Sequence, residues 1–288
     1  MTRINGETKL YGLIGHPVKH SLSPLIQNTL SIVMGLNNVY LCFDTPPGQL
    51  EKKVTSLIGV GVEGFNVTMP HKEEVIKYID ELSESALYVN AVNTVFVDKG
   101  IAKGFNTDCE GFVRSLKENF GYGVEGDSVL MLGAGGAAKA IAVGLLQDGC
   151  KKLYIQNRTL KRAKDLKDSL PDFSDRIEVV EDIKLIPEDV DVIVNTTSVG
   201  MHGELEGKSP LSDGYEFNKN QRVVDIIYSP PETLLLKKAR EKGASTLNGY
   251  SMLFWQAVIA FEIWNKVKVG RDELDEILKI LKENGVMI

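Results

Sequence analysis

A glycine-rich segment in the middle of the chain carries the residue types best suited to binding a phosphate. It follows Val129–Leu132, an apolar run that predicts a buried parallel strand, and precedes Lys139–Leu146, where apolar residues recur at helical spacing. Glycines allow a sharp turn and let a phosphate approach the backbone, and a helix N-terminus attracts negative charge. This order predicts a dinucleotide-binding turn, with Ala138 at the third glycine position of the usual pattern. The residues of the turn are Gly133, Ala134, Gly135, Gly136 and Ala137.

Two arginines follow the next predicted strand and indicate which dinucleotide binds. Lys152–Gln156 predicts that strand, and Asn157, Arg158 and Thr159 come directly after it. Near this position an NAD site has an acidic residue that binds the ribose hydroxyls, and this sequence has none there. Arg158 is present instead, and Arg162 follows one helical turn later, so both guanidinium groups can reach one small site. Because arginine offers planar, permanently charged donors to a phosphate, the pair predicts NADP.

Four short polar clusters lie before this unit, each at the end of a predicted strand or the start of a predicted helix. Together they supply hydroxyl and amide groups, the ammonium of Lys72 and the carboxylate of Asp108, a set that suits a small polyhydroxylated acid. Any one cluster alone is typical of a helix cap or a turn, but the four together favour a substrate site. The clusters are His20–Pro24, Asn66–Lys72, Ala91–Thr94 and Asn106–Asp108.

Predicted strands and helices alternate along the chain, which favours an α/β protein. We expect an N-terminal α/β substrate domain with a mixed sheet, formed by residues 1–108 plus 249–288. We expect a Rossmann-type NADP domain with a doubly wound parallel sheet over residues 109–248.

Three local patterns in the first domain predict its details. Ser23-Pro24 is expected to be a helix N-cap followed by proline at the first helical position. Another helix is expected to begin at Pro70 and to run to about Ile79. The residues around Lys99 and Gly100 are expected to form the turn of a hairpin.

The composition limits the classes of partner. The chain has 288 residues and a formal net charge of −6, so it offers no general basic surface for nucleic acid. Cys42, Cys109 and Cys150 follow no metal-binding spacing and predict reduced thiols in a cytoplasmic protein. The histidines form no metal-like cluster, and no apolar run reaches transmembrane length. We therefore expect a small-molecule substrate, no metal, no nucleic acid and no membrane, and either a monomer or a homodimer.

The motifs taken together make the chain similar to the shikimate dehydrogenase family, from Gly12 to the C-terminal helices. The resemblance implies a two-domain enzyme that reduces 3-dehydroshikimate reversibly with NADPH, in the pathway to aromatic amino acids. The motifs are H-S-x-S-P from His20, N-V-T-x-P-x-K from Asn66, A-V-N-T from Ala91, N-T-D-x-x-G from Asn106, G-A-G-G-A from Gly133, N-R-T-x-x-R-A from Asn157, N-x-T-S-x-G-M from Asn195 and G-Y-S-M-L-F-W-Q from Gly249.

The resemblance implies that Lys72 and Asp108 are the catalytic pair. Hydride delivery to a ketone leaves an alkoxide, which needs a proton and a nearby positive charge, and a lysine can provide both. An adjacent carboxylate would favour the charged lysine, whereas burial would lower the pKa of the lysine, so which residue moves the proton stays open. The substrate-binding residues that the resemblance implies are Ser21, Ser23, Thr68, Lys72, Asn93, Asp108, Tyr228 and Gln256.

The resemblance also implies a set of cofactor-binding residues. The glycine-rich turn matches the family's pyrophosphate loop. Asn157, Arg158, Thr159 and Arg162 match the site of the NADP phosphate. The residues expected near the nicotinamide or along the border of the cofactor are Thr197, Ser198, Met201, Gly249 and Met252.

Two other functions remain open at this point. A quinate/shikimate dehydrogenase that favours NAD would need room for one more hydroxyl near Ser21, Ser23 and Tyr40, although the arginine pair argues against NAD. A non-catalytic metabolite sensor would use the same site without turnover. Such a sensor need not keep Lys72 and Asp108 together, and it would normally carry an added interaction segment.

Overall fold

The computed structural model describes residues 4–182, 185–187, 189–212 and 214–286. The chain forms two compact units. The first contains Met1–Thr107 and Phe254–Ile288, and the second contains Asp108–Leu253.

The first unit is built on a mixed sheet, as expected from the sequence. Strand order in this sheet is β2-β1-β3-β5-β6-β4, with β1 parallel to both neighbours and β5 antiparallel to β3 and β6. Its core lies between the sheet and helix α2, around the fully buried Phe65 of β3. The elements up to the unit boundary are β1 (Lys9–Gly15), α1 (Ser23–Val33), β2 (Asn38–Asp44), α2 (Leu50–Gly59), β3 (Gly64–Val67), a 3₁₀ helix (Glu74–Tyr78), β4 (Glu81–Leu82), α3 (Glu84–Val89), β5 (Thr94–Asp98) and β6 (Ile101–Phe105).

The predicted hairpin is confirmed. β5 and β6 pair so that Asp98 lies opposite Ile101, which leaves Lys99 and Gly100 as a two-residue turn. Both turn residues have a positive φ, 52° and 82°. This is the conformation of the primed turns, whose twist matches that of the adjoining strands.

Two local predictions in this unit are wrong in detail. Ser23 is not the N-cap of α1, because the carbonyl of Leu22 already accepts the Ile26 N–H at 3.1 Å and the helix therefore starts one residue earlier. The helix predicted from Pro70 is instead a set of turns that leads into the short 3₁₀ helix. The carbonyl of Lys72 accepts the N–H of Val92 at 2.8 Å, so it does not take part in the i→i+4 ladder that an α-helix needs.

The second unit contains a parallel, doubly wound sheet, and this prediction is confirmed. Strand order is β12-β11-β10-β7-β8-β9, and every pairing among these strands is parallel. The chain order reverses on either side of β7, so the topological switch point lies between β7 and β10. The elements are α4 (Thr107–Phe120), β7 (Ser128–Leu132), α5 (Gly136–Gln147), β8 (Lys152–Gln156), α6 (Leu160–Asp168), a 3₁₀ helix (Pro171–Phe173), β9 (Ile177–Val180), β10 (Val192–Asn195), β11 (Arg222–Asp225), α7 (Leu234–Glu241) and β12 (Ser245–Leu247).

The chain ends in two helices, α8 (Gly249–Asn265) and α9 (Arg271–Glu283). The boundary between the units falls inside α8, and α9 packs against α1 in the first unit. Trp264 holds the second half of α8 in place: its ring stacks on Tyr11 with centroids 5.1 Å apart, and its Nε1–H donates to the carbonyl of Val95 at 2.9 Å. Among the described helices, none combines the length and the hydropathy that a bilayer crossing requires.

Candidate active site

The glycine-rich turn occupies the carboxyl end of β7, at the switch point of the parallel sheet. The Gly133 N–H donates to the carbonyl of Gln156 at 2.8 Å, which ties the turn to the end of β8. Gly133 has a φ of +111°, a conformation that side chains disfavour. Ala138 is fully buried at the first turn of α5, so the alanine in place of a third glycine fits this helix.

The residues between Gly133 and α5 leave an open approach to the backbone. Gly135 and Gly136 are exposed, and a Cβ built on either one would meet no atom within 4 Å. Gly135 is the N-cap residue of α5, and no side chain caps this helix. The first N–H groups of a helix carry partial positive charge. This end of the helix therefore fits a pyrophosphate group.

The arginine pair lies at the end of the neighbouring strand. Asn157 donates from its side-chain Nδ2 to the Thr159 carbonyl at 2.8 Å, a bond that shapes the connection from β8 to α6. Arg158, Thr159 and Arg162 are exposed. Within the part of the chain that the structure describes, neither guanidinium forms an ion pair with a carboxylate. Their charge is thus available to an anionic ligand.

A third strand end lies against the glycine-rich turn. A Cβ built on Gly133 would fall 2.5 Å from Oγ1 of Thr196 and 2.9 Å from Cγ2 of Thr197, so the loop after β10 touches the turn directly. Thr196 donates from Oγ1 to the carbonyl of Leu132 at 2.9 Å. Further along this loop, Ser198 and Met201 are exposed. The structure thus brings the predicted pyrophosphate turn and the predicted nicotinamide loop together.

A buried carboxylate lies behind this loop. Asp225, the last residue of β11, accepts hydrogen bonds from Asn195 Nδ2 at 3.0 Å, Ile227 N at 3.1 Å and Thr233 Oγ1 at 2.7 Å. Burial raises the pKa of Asp225 to about 6, against the lowering effect of these three bonds. Asn195 uses its other amide atom, Oδ1, to accept from both the N–H and the hydroxyl of Thr197, at 3.0 and 2.7 Å.

The remaining predicted residues of the second unit lie after β11 and at the start of α8. The Tyr228 side chain is 41% exposed, and its ring packs on that of Tyr250 with centroids 5.3 Å apart. Gly249 donates from its N–H to the carbonyl of Ile227 at 3.0 Å, which fixes the start of α8 beside the loop that carries Tyr228. Met252 is partly buried on the first turn of the same helix.

In the first unit, the serine motif meets a buried tyrosine. Ser21 accepts the N–H of Ser23 on its Oγ at 3.2 Å, and the Ser23 side chain hydrogen-bonds to Tyr40. Tyr40 is 2% exposed, and its hydroxyl donates to Asn66 Oδ1 at 2.8 Å. Burial raises the pKa of Tyr40 well above its ordinary value, so this hydroxyl stays protonated.

The same network continues from Asn66 to the start of α4. Asn66 donates from Nδ2 to the Asn93 carbonyl at 3.1 Å and to Thr94 Oγ1 at 3.0 Å. Asn93 in turn accepts the N–H of Thr107 on Oδ1 at 2.8 Å. The motifs that begin at Asn66, Ala91 and Asn106, far apart in the sequence, therefore form one hydrogen-bonded cluster.

Lys72 is attached to this cluster through its backbone. Its carbonyl accepts the N–H of Val92, the residue before Asn93, and its side chain is partly buried. The neighbouring His71 is 1% exposed and contacts the Thr45 carbonyl through Nε2 at 2.6 Å, which holds the segment against the chain after β2. Thr68 begins the segment and is tied to the end of β1 by its N–H, which donates to the Ile14 carbonyl at 2.9 Å.

Asp108 and Gln256 complete the predicted set. Asp108 follows Thr107 in the first turn of α4, and its side chain is partly buried. Gln256 is partly buried on α8. Among the described residues, no group of three His, Cys, Asp or Glu side chains is placed to hold a metal ion.

Sequence reasoning assigned no role to two residues that organise these sites, Asn66 and Asp225. Asn66 belongs to the motif N-V-T-x-P-x-K, and Asp225 lies three residues before Tyr228. A polar residue at the end of an otherwise apolar strand was the available signal, because a buried polar group must find hydrogen-bond partners. The sequence does not show which partners these are.

Comparisons with known proteins agree with this architecture. Two family models match the chain: the shikimate dehydrogenase substrate binding domain over residues 13–95 and shikimate / quinate 5-dehydrogenase over residues 115–227. A protein of Caldanaerobacter subterraneus subsp. tengcongensis, named shikimate dehydrogenase (NADP(+)), is 47% identical over 280 residues, which cover 96% of this chain and 99% of that protein.

Solved structures give the same result. Shikimate 5-dehydrogenase from Listeria monocytogenes, in complex with shikimate and NAD, is 36% identical with a TM-score of 0.91, over 98% of this chain and 99% of that one. Quinate dehydrogenase from Corynebacterium glutamicum, in complex with NAD, is 32% identical with a TM-score of 0.86, over 94% of this chain and 98% of that one. The predicted fold class is confirmed, and the chain belongs to the shikimate dehydrogenase family.

Proposed function

We propose that this chain is an NADP-dependent shikimate dehydrogenase that interconverts 3-dehydroshikimate and shikimate. The observation that carries the proposal is the open glycine-rich turn at the switch point of a parallel sheet, next to Arg158 and Arg162, which no carboxylate neutralises among the described residues. A dinucleotide with a 2′-phosphate matches both features, because the turn offers N–H groups to the pyrophosphate and the arginines offer charge to the extra phosphate. The name of the 47% identical relative, which includes NADP(+), supports the same cofactor.

The residues that would hold the cofactor divide into three groups by position. The turn Gly133–Ala137 would bind the pyrophosphate, and Asn157, Arg158, Thr159 and Arg162 would bind the adenosine phosphate. The loop after β10, with Thr197, Ser198 and Met201, would border the nicotinamide, together with Gly249 and Met252 at the start of α8. The bound nicotinamide supplies hydride to, or accepts it from, the carbon that carries the reacting oxygen.

The substrate would bind through hydroxyl and amide side chains. Ser21 and Ser23 would hold the carboxylate through their hydroxyl groups, and the buried Tyr40 lies beside them, hydrogen-bonded to Ser23. The ring hydroxyls would be bound by Thr68, Asn93, Asp108 and Gln256, with Tyr228 near the ring. A site of this kind, which hydrogen-bonds each hydroxyl, discriminates strongly between polyols.

Lys72 and Asp108 would manage the proton at the reacting oxygen. When a ketone is reduced, its oxygen gains negative charge, which an ammonium stabilises and then neutralises by proton donation. In the reverse direction the same groups would remove the hydroxyl proton. The backbones at Lys72 and Thr107 are both tied to Val92-Asn93, which supports concerted placement of Lys72 and of the residue that follows Thr107.

A dehydrogenase assay that crosses two substrates with two cofactors tests this function. Purified protein given shikimate and NADP should generate the absorbance of reduced nicotinamide, and do so faster than with NAD. Higher kcat/KM with quinate and NAD would instead make it a quinate dehydrogenase, the activity named for the relative from Corynebacterium. Absence of turnover in all four combinations, combined with tight binding of a substrate, would favour a metabolite sensor.

The cysteines of the proposed enzyme indicate the compartment in which it works. Cys42, Cys109 and Cys150 form no disulfide bond. Cysteines that stay as thiols are typical of a reducing compartment, which supports a location in the cytoplasm. We also infer that the enzyme works as a monomer or a homodimer.

A further inference from the structure

Asp225 is a buried carboxylate to which the proposed mechanism assigns no role. It is 0% exposed and lies at the carboxyl end of β11, the strand next to β10. Burying a carboxylate in a protein interior is costly, and an apolar residue would cost less. A carboxylate in such a position therefore suggests a specific structural or functional role.

The three donors around Asp225 come from three different segments. Asn195 ends β10, Ile227 belongs to the loop that carries Tyr228, and Thr233 is the N-cap residue of α7, where its Oγ1 also accepts the N–H of Leu236. The carboxylate therefore joins the loop after β10 to the loop after β11. A second bond joins the same two loops directly, because His202 donates its N–H to the carbonyl of Ser229 at 2.9 Å.

The direction of these hydrogen bonds determines the orientation of the Asn195 side chain. An ionised carboxylate can only accept, so Asn195 must turn its Nδ2 toward Asp225. Its Oδ1 then faces Thr197 and accepts both donors of that residue. Thr197 Oγ1 has given its proton to Asn195 and is left to accept the N–H of Val199 at 3.1 Å. Asp225 thus determines which groups donate and which accept, first at Asn195, then at Thr197 and Val199.

We propose that Asp225 is a positioning residue for cofactor binding, which acts through the amide of Asn195 to hold the loop Thr197–Met201 in its binding conformation. The inference rests on the proposed function, in which this loop borders the nicotinamide. Small displacements of residues that position a reacting group can lower the rate strongly, so loss of this support should appear in catalysis as well as in stability.

Two substitutions at Asp225 separate its hydrogen bonds from its charge. In Asp225→Ala all three donors lose their acceptor. In Asp225→Asn the amide oxygen can take the place of Oδ1 and keep the bonds from Asn195 and Ile227, while its NH₂ group donates to the hydroxyl oxygen of Thr233. The asparagine variant should therefore rescue most of what the alanine variant loses.

A carboxylate at the opposite end of the same sheet offers a matched control. Asp127, just before β7, forms an ion pair with the buried Arg222 at the start of β11. Asp127→Asn removes the negative charge that pairs with Arg222, in the same unit but at the amino ends of the strands, away from both loops. It should lower the Tm without changing the kinetic constants of the folded protein.

The experiment measures kcat, KM for NADP and Tm for these variants, with assays run well below each Tm. We expect kcat/KM for NADP to fall about tenfold or more in Asp225→Ala, and to stay within about threefold of wild type in Asp225→Asn and Asp127→Asn. Kinetic constants within about twofold of wild type in Asp225→Ala, or an equal loss in Asp127→Asn, would overturn the proposal. Failure of the wild-type protein to turn over would count against the proposed function instead.

Two further measurements keep the proposal testable if Asp225→Ala does not fold. Asn195→Ala removes the amide that links Asp225 to Thr197 and to the Val199 carbonyl, and it leaves Asp225 its bonds from Ile227 and Thr233. This variant should also raise KM for NADP, so unchanged kinetics would contradict the proposal. In the wild-type protein, the amide hydrogens of Thr197, Val199 and Ile227 all belong to this network and should exchange slowly with solvent. Exchange of the Thr197 and Val199 amides at unprotected rates would show that the network does not hold the loop.

Discussion

Gly133 and Thr196 approach each other so closely that a Cβ on the glycine would lie 2.5 Å from the threonine Oγ1. The glycine-rich turn and the loop after β10 are therefore packed backbone against side chain, and the contact leaves no room for a larger residue at position 133. Two positions further along the turn the situation is reversed, because a Cβ on Gly135 would meet nothing within 4 Å. One turn thus contains a glycine that the fold requires and another that only a ligand would require.

This difference predicts opposite results for two alanine variants. Gly133→Ala should lower the Tm, because the residue has a φ of +111° and its new methyl group would collide with Thr196. Gly135→Ala should lower the Tm less than Gly133→Ala does but raise KM for NADP by about tenfold, since the methyl group would occupy the approach to the pyrophosphate. Thermal unfolding and initial rates measure the two effects. A Gly135→Ala protein with normal KM would argue against a pyrophosphate at this turn.

The arginine pair should determine which dinucleotide is preferred. Arg158→Ala should reduce the ratio of kcat/KM for NADP to that for NAD by about tenfold or more, because a charge-assisted bond to the 2′-phosphate is lost and NAD has no such group. Lys161→Ala is the control, since Lys161 is an exposed cation three residues further along, on α6, and pairs with Asp165 at 3.0 Å. Rates with both cofactors test this. An equal effect of the two substitutions would mean that only general charge matters.

Lys72 should matter for turnover more than for binding. Lys72→Ala should lower kcat about 100-fold or more while the Kd of shikimate changes by only a few fold, because the ammonium acts on charge that develops during the reaction. Lys77→Ala is a matched control in the same segment, where Lys77 is exposed on the 3₁₀ helix. Steady-state kinetics and equilibrium binding separate the two quantities. A change confined to binding would assign Lys72 to substrate recognition alone.

Asp225 should make the stability depend on pH in an unusual direction. Burial raises the pKa of this carboxyl from 3.8 to about 6 in the folded protein, so the folded state holds the proton more tightly than the unfolded state. The stabilisation from protonated Asp225 is therefore present below about pH 4 and is lost as the pH rises through about 6. Asp225→Asn does not titrate, so it lacks this loss.

Urea unfolding of wild type and Asp225→Asn across this range gives the measurement. The unfolding free energy of the wild type, relative to the variant, should fall by about 2 kcal/mol between about pH 4.5 and about pH 7.5. Using the difference between the two proteins cancels the titration of groups that both share. A flat difference would place the pKa of Asp225 near its ordinary value, and a rising one would place it lower.

Much of the fold could be predicted from local sequence patterns. The apolar run before Gly133, the helical spacing after it and the alternation that follows predicted the parallel sheet, and β7, α5 and β8 lie where they were expected. The turn residues Lys99 and Gly100 likewise predicted their hairpin. In each case the signal is contained in a few consecutive residues, because periodicity and turn chemistry are local properties.

The candidate site could be predicted only in part. The motif residues were named from the sequence, but the hydrogen bonds that orient them join distant positions. The Lys72 carbonyl is bonded to Val92, twenty residues later in the chain, and this bond replaces the helix that the local pattern predicted at Pro70. The local pattern could not predict this bond, because Val92 lies outside the segment that contains Lys72.

The sequence by itself determined the strand and helix segments, the glycine-rich turn and the residue types available for chemistry, because these depend on neighbours along the chain. Only the tertiary structure decided how Asp225 orients Asn195, a pair 30 residues apart, and how Asn66 reaches Asn93. The physical reason is that a buried polar group must be satisfied by whatever the fold brings to it, and neighbouring strands of a sheet bring together residues that are far apart in sequence.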